Sequence, residues 1–201
     1  VVCIMGLIAV TELQLIIWKG KPTFLMGGPL LSIAIGFIFC SLNEYSVGFA
    51  TFALGGVIIL LSTAGNLKKF LWSGFGYSYI IIAIISLIEL RELAEIGRRT
   101  VFWFFAVIWA NDIGAYLVGR TIGGIRIAPF ISPGKTWAGS MGGLCCAGLA
   151  SLAFFGSIMV KQSIVAIIFL GILLAIGAQI GDLIESYFKR EHGVKNSGIL
   201  I

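Results

Sequence analysis

Charge is scarce in this 201-residue chain. Only 11% of its residues are Asp, Glu, Lys or Arg, where a soluble domain carries about 25%. So few charges cannot cover a water-facing surface, so most of the surface must face lipid. Histidine occurs once, at His192, which reads as a solvated loop residue rather than a catalytic base. The sequence offers no Ser-His-Asp arrangement and no thiol nucleophile. The four cysteines, Cys3, Cys40, Cys145 and Cys146, all lie in apolar runs. None forms a CxxC or a Cys/His ligand spacing, so they read as small buried hydrophobes. Internal repeats and low-complexity segments are absent as well.

Long apolar runs are abundant. A spanning helix needs roughly 20 mostly apolar residues. Seven such runs can be placed, at about 1–17, 24–42, 46–63, 70–90, 100–118, 138–160 and 164–184. They are continuously apolar, whereas barrel strands alternate and are about half as long. The predicted fold is therefore all-α, a polytopic integral membrane helix bundle. The chain opens on Val1 and stops within the apolar Gly198-Ile-Leu-Ile201, which reads as a fragment of a longer protein.

The net charge of +5 does not point to nucleic acid, because the basic residues sit in short loops between spans. The first, third and fifth loops and the C-terminal tail hold Lys19, Lys21, Lys68, Lys69, Arg120, Arg126, Lys135, Lys189, Arg190 and Lys195. The other loops hold Arg91, Arg98, Arg99 and Lys161. By the positive-inside rule the first group faces the cytoplasm. The loop after the fifth span and the tail would then share that side.

The two halves differ. Residues 1–99 read as packing spans, with Glu12 the one ionisable residue inside the first run. Residues 100–201 carry three polar clusters and read as the catalytic region. Polar groups in or beside membrane helices are costly and need a partner or a purpose.

The first cluster is Trp109-Ala-Asn-Asp-Ile-Gly-Ala-Tyr-Leu-Val-Gly-Arg120. On a helix, Asp112, Ala115, Tyr116 and Gly119 share one face. An ionised Asp112 must be neutralised by a cation, either a metal or a side chain such as Arg120. The second is Ile131-Ser-Pro-Gly-Lys-Thr-Trp-Ala-Gly139. Its Gly-Lys-Thr triplet is not a P-loop: position 129 is Pro where that motif needs Gly, and no strand is predicted before it. Ser132, Lys135 and Thr136 remain, at the start of the sixth span. They read either as a phosphate-attracting helix N-terminus or as an ordinary cap with a cytoplasmic lysine. The third is Gly177-Ala-Gln-Ile-Gly-Asp-Leu-Ile-Glu-Ser-Tyr-Phe-Lys-Arg190. Asp182, Glu185, Ser186 and Lys189 form one helical stripe. Its two carboxylates suit a hard cation such as Mg²⁺, and Lys189, Arg190 and Lys195 suit phosphates. The bland alternative is an amphipathic helix leaving the bilayer. Together the inventory matches phosphoryl or nucleotidyl transfer on a lipid.

Ser186-Tyr-Phe-Lys-Arg190, then four residues, then Lys195-Asn-Ser-Gly198 resembles the signature of the phosphatidate cytidylyltransferase (CDP-diacylglycerol synthase) family. Gly181-Asp-Leu-Ile-Glu185 resembles its Gly-Asp-Leu element. Asn111-Asp-Ile-Gly-Ala-Tyr116 with Gly119-Arg120 resembles its Asp-Thr-x-Ala-Tyr-x-x-Gly-Arg segment. Ser132-Pro-Gly-Lys-Thr-Trp137 resembles its Ser-Pro-Lys-Lys-Thr-Trp segment. The resemblance implies that CTP and phosphatidate give CDP-diacylglycerol and pyrophosphate with Mg²⁺, in a bacterial-type inner membrane. It implies a catalytic set of Asp182, Lys195, Asn196 and Asp112, with Asp182 and Glu185 toward the metal. Ser132, Lys135, Thr136, Ser186, Lys189 and Arg190 would contact substrate. A homodimer is compatible with it.

There are departures. Gly134 stands where the family often has Lys, Ala138 where it often has Glu, and Asn196 where it has Asp. The family also continues past this point with Pro-Gly-His-Gly-Gly and Asp-Arg-x-Asp segments, so this exact chain is expected to be inactive alone. Rival readings are a transporter, another CTP-using lipid enzyme such as a polyprenol kinase, and a non-catalytic remnant. A transporter would place polar chemistry in both halves, and here it lies in one.

Overall fold

A computed structural model describes residues 2–18, 27–63, 65–93, 96–154, 156 and 163–191. Among them are seven α-helices: α1 (Val2–Ile17), α2 (Gly27–Ser41), α3 (Tyr45–Thr63), α4 (Leu67–Glu92), α5 (Gly97–Thr121), α6 (Trp137–Ala153) and α7 (Ile164–Glu191). The helical fold follows from the solvent. In hydrocarbon every backbone N–H and C=O must be satisfied within the protein, and a helix does so within one segment. Side-chain hydroxyls obey the same rule. Thr11, Ser62, Thr100 and Thr121 each turn back and donate to a carbonyl three or four residues earlier.

Four helices, α3, α4, α5 and α7, are long and apolar enough to cross a bilayer. The others, α1, α2 and α6, are 16, 15 and 17 residues long. Large apolar side chains such as Phe102, Trp109 and Phe169 are more than 60% exposed, as lipid-facing groups should be. Cys145 is exposed too, against the expectation that the cysteines are buried; it lies on a helix surface that needs no polar cover.

The chain divides into two compact units, the first running through Ile88 and the second from Glu89 to Glu191. In the first, Ser32, Tyr77 and the Phe52 carbonyl form a buried hydrogen-bonded knot across α2, α3 and α4. Glu12 is partly buried on α1, and its Oε1 has no hydrogen-bond partner among the described residues.

The second unit holds the three polar clusters. Its core is Trp103, Val107, Ala147, Ile167 and Ala175, and the Trp103 indole N–H donates to the buried Ser151 hydroxyl at 3.2 Å. Helix α6 lies against both α5 and α7. The α5–α6 crossing is lined with glycine. A Cβ on Gly114 would stand 2.6 Å from Cys146 Sγ and 2.9 Å from the Gly142 carbonyl; one on Gly139 would stand 2.7 Å from the Ala115 carbonyl. Small residues let the backbones touch. Gly177 differs, for nothing lies within 4 Å of its missing side chain.

Residues 119–137 are more ordered than a plain loop. Gly123 and Gly124 adopt φ of +66° and +98°, a left-handed turn that glycine tolerates best. It ends α5 and feeds a short antiparallel hairpin, β1 (Arg126–Ala128) and β2 (Ser132–Thr136). The expectation that no strand precedes the Gly-Lys-Thr triplet was wrong, because three- and five-residue strands, one of them carrying Pro and Gly, leave no alternating signature. β2 runs directly into α6. Thr136 is the N-cap, its backbone extended and its Oγ1 accepting the Gly139 N–H at 3.1 Å.

Replacing Gly114 with Ala should lower the thermal stability of the detergent-purified protein, by about 1–3 kcal/mol from overpacking. Gly177→Ala, made in parallel, should leave the melting temperature unchanged or slightly raised. Equal effects at both sites would contradict a glycine-dependent α5–α6 contact.

Candidate functional site

The hairpin and the last turns of α7 meet through charge. Lys135, on β2, has its ammonium nitrogen buried and contacts the Asp182 carboxylate as an ion pair. Among the described residues it makes no well-aligned hydrogen bond. The Asp182 side chain is 60% exposed. One turn on, Lys189 pairs with Glu185 at 2.6 Å, in the i,i+4 geometry a helix offers. Arg190 reaches across, its Nε donating to the Ile131 carbonyl at 3.3 Å. The predicted stripe on α7 therefore exists, and the second and third clusters are brought together.

The first cluster joins them through an amide. Asn111, only 1% exposed on α5, accepts at Oδ1 from Gln179 Nε2 on α7 at 2.8 Å. Gln179 Nε2 also donates to the Ser140 backbone carbonyl on α6 at 3.1 Å, and the Ser140 hydroxyl donates to Gln179 Oε1. Gly143 makes room for this meeting, since a Cβ there would stand 2.7 Å from Asn111 Oδ1 and 3.1 Å from Gln179 Nε2. The other end of the Asn111 amide donates to Asp112 Oδ1 at 3.0 Å.

Asp112 is exposed on α5. The suggested ion pair with Arg120 is not formed. Arg120 instead donates to the Tyr116 hydroxyl at 2.7 Å and lies over that ring, because an i,i+4 partner is nearer than one eight residues away. Among the described residues Asp112 has no ionic partner. Ser132 is half-buried on β2 opposite Ala128, and Ser186 is half-buried on α7. The Thr136 oxygen is used in the cap of α6. Lys195, Asn196 and His192 lie outside the described residues.

No group of three His, Cys, Asp or Glu suited to a metal occurs among the described residues. The pair Asp182 and Glu185 fits Mg²⁺ in a narrower sense. Both carboxylates are more than half exposed and one turn apart, and Mg²⁺ binds through one or two carboxylates while keeping waters and substrate phosphates. Each carboxylate already holds a lysine, which an arriving cation would displace.

Gln179 and Ser140 were missed as site residues. The signal for Gln179 was present, an amide three positions before Asp182 in an otherwise apolar run. Ser140 gave none, since small hydroxyl residues are common in membrane helices.

The model of the cytidylyltransferase family matches residues 1–201. The chain belongs to that family. Curated relatives agree. A phosphatidate cytidylyltransferase of Brucella suis is 39% identical over 155 residues, covering 75% of this chain and 55% of the relative. Those of Staphylococcus epidermidis and Rickettsia bellii are each 32% identical, covering 72% of this chain and 56% and 68% of theirs. The chain thus spans about half the length of the first two relatives. No solved structure matches.

The Lys135–Asp182 contact can be weighed by a double-mutant cycle with Lys135→Met and Asp182→Asn. Asp182 is 60% exposed and the Lys135 ammonium is buried, so solvent screens one end only and the coupling in thermal stability should be about 1 kcal/mol, the upper end for exposed pairs. A coupling of several kcal/mol would mean the carboxylate is far less hydrated than its exposure implies.

Proposed function

We propose that the protein is a phosphatidate cytidylyltransferase: it transfers CMP from CTP to phosphatidate, giving CDP-diacylglycerol and pyrophosphate. The observation that carries this reading is the convergence of three polar segments in one unit of a membrane protein of the cytidylyltransferase family. In the reaction an oxygen of the lipid phosphate attacks the α-phosphorus of CTP. The bond from that phosphorus to the β-phosphate bridging oxygen breaks, and pyrophosphate leaves. Such transfers need positioning and neutralised charge more than covalent help.

The roles follow from the groups present. Lys135, Lys189 and Arg190, with Lys195, hold phosphate oxygens, Arg190 by its planar fork and the lysines as point charges. Ser132, Thr136 and Ser186 offer hydroxyl donors along the hairpin and stripe. Asp112 forms the polar wall on the α5 side, and Asn196 adds an uncharged donor and acceptor. Asp182 and Glu185 would hold Mg²⁺, which when bound supplies positive charge to the triphosphate. Substrate phosphates and the cation would exchange for the ion pairs that now occupy these side chains. The positive-inside count supports a seven-span chain whose hairpin and α7 terminus face the cytoplasm, where CTP is found.

Two measurements test this. Membranes carrying the full-length gene product should form CDP-diacylglycerol from phosphatidate only with CTP and Mg²⁺. Asp182→Asn should lower that rate at least 100-fold, the scale of a lost electrostatic contact at a transition state. An active Asp182→Asn protein would remove the metal assignment. Separately, a cysteine placed at Phe130, 96% exposed on the hairpin, in a cysteine-free background should be labelled by an impermeant maleimide from the cytoplasmic face, and one at Lys161 from the opposite face. The reverse pattern would invert the topology.

A further inference from the structure

We infer that Gln179 is a positioning residue: its amide sets the direction of a hydrogen-bond chain from α6 through α7 and α5 that ends on the Asp112 carboxylate. The inference rests on the reading of Asp112 as a wall of the substrate site.

The direction is fixed at both ends. The Ser140 backbone carbonyl can only accept, so the Gln179 atom 3.1 Å from it must be the NH₂ nitrogen. That leaves Oε1 to take the Ser140 hydroxyl proton. The same NH₂ meets Asn111 at 2.8 Å, and therefore requires Asn111 to present oxygen. Asn111 must then turn its own NH₂ outward, onto Asp112 Oδ1 at 3.0 Å. An ionised carboxylate only accepts, so the last link demands the same direction as the first. A reversed Gln179 amide would aim oxygen at a carbonyl; a reversed Asn111 would aim oxygen at a carboxylate.

The surroundings hold the chain in this state. Asn111 is 1% exposed, so it has no water to substitute for Gln179. Gly143 leaves room for the two amides, since an added Cβ would crowd both. Gln179 stands three residues before Asp182 on α7, about 4.5 Å along the axis. One amide therefore ties the α5 carboxylate to the helix that bears the other site carboxylates. Outer partners that orient site groups in this way typically matter 10–100-fold.

Gln179→Glu isolates the effect, since it keeps volume and still accepts from Ser140 but no longer donates when ionised. Asn111 must then rotate and turn oxygen toward Asp112. In the full-length gene product kcat for CDP-diacylglycerol formation should fall about 10–100-fold, with KM for CTP little changed; the melting temperature should fall as well, because the new carboxylate faces the Ser140 carbonyl. Gly177→Ala, on the same helix but with nothing within 4 Å of the added methyl, should keep kcat within about threefold of wild type on that same scale. Gln179→Met serves if the Glu variant does not fold. A wild-type kcat in the folded Gln179 variant, or a loss seen only as lower stability, overturns the inference.

A second readout needs no activity. The chain has four asparagines, Asn43, Asn66, Asn111 and Asn196, so ¹⁵N-Asn labelling gives few side-chain amide signals. Asp112→Ala should shift the Asn111 signal in the wild-type background and much less in Gln179→Glu. Equal shifts in both overturn the inference. An enzyme that makes no CDP-diacylglycerol yet shows this dependence would refute the proposed function and leave the hydrogen-bond chain standing.

Discussion

An amide inside a membrane helix cannot hand its hydrogen bonds to water, and the second unit is organised around that constraint. Asn111 sits on α5 with nearly all its surface covered. Leaving its polar atoms unpaired would cost several kcal/mol in an apolar setting. Gln179 of α7 and the Ser140 carbonyl of α6 remove that cost together. Three helices are thereby fixed in one register, since a shift of any one by a residue would break the meeting. The glycines follow from the same need. Gly114, Gly139, Gly142 and Gly143 bring α5 and α6 close enough for a short side chain on one to reach the neighbourhood of the other.

From that fixed point the site is built outward toward the polar ends. The α5 helix stops at a left-handed glycine turn, the hairpin folds back, and Thr136 caps α6. This leaves β2 beside the exit of α7, where Lys135 and Asp182 pair and Arg190 takes the Ile131 carbonyl. The hairpin is too short to be stable alone. Its conformation depends on the helices it joins and on these two contacts. Lys135 and its neighbours therefore lie on a hairpin held by the helices it joins and by its contacts to α7, rather than on a free loop.

Much of this was legible in the sequence, and the limits have physical causes. The helices were readable because an unbroken apolar run has few other fates. Four of them meet the length of a span; α1, α2 and α6 are shorter, since glycines, proline and polar turns cut their apolar runs. The stripe from Asp182 to Lys189 was readable because helical spacing alone puts those residues together. The pairing of Lys135 with Asp182 was not, because 47 positions separate them in the chain and no local rule connects them. Arg120 misled for a related reason: charge alone favoured Asp112, while reach favoured Tyr116. Gln179 was overlooked because a single amide carries no charge and no motif, although in lipid its cost is nearly as informative.

Two kinds of polar contact coexist in the second unit, and they differ in how easily a ligand could replace them. The amide chain is directional and centred on the buried Asn111, with its other members part-buried and its Asp112 end exposed; breaking the Gln179–Asn111 link leaves the Asn111 oxygen with no water to replace it. The ion pairs are otherwise. Their carboxylates, Asp182 and Glu185, are 60% and 57% exposed and so open to water, although the Lys135 ammonium is buried. A phosphate that takes Lys135 or Lys189, and a cation that takes the released carboxylates, would repeat the same attractions with higher charges and keep the buried Lys135 ammonium paired. The lysines and carboxylates can therefore exchange partners while the amides keep the helices still. A nucleotidyl transferase acting on a lipid needs that combination, because its substrates carry most of the charge and its protein must hold position as they arrive and leave.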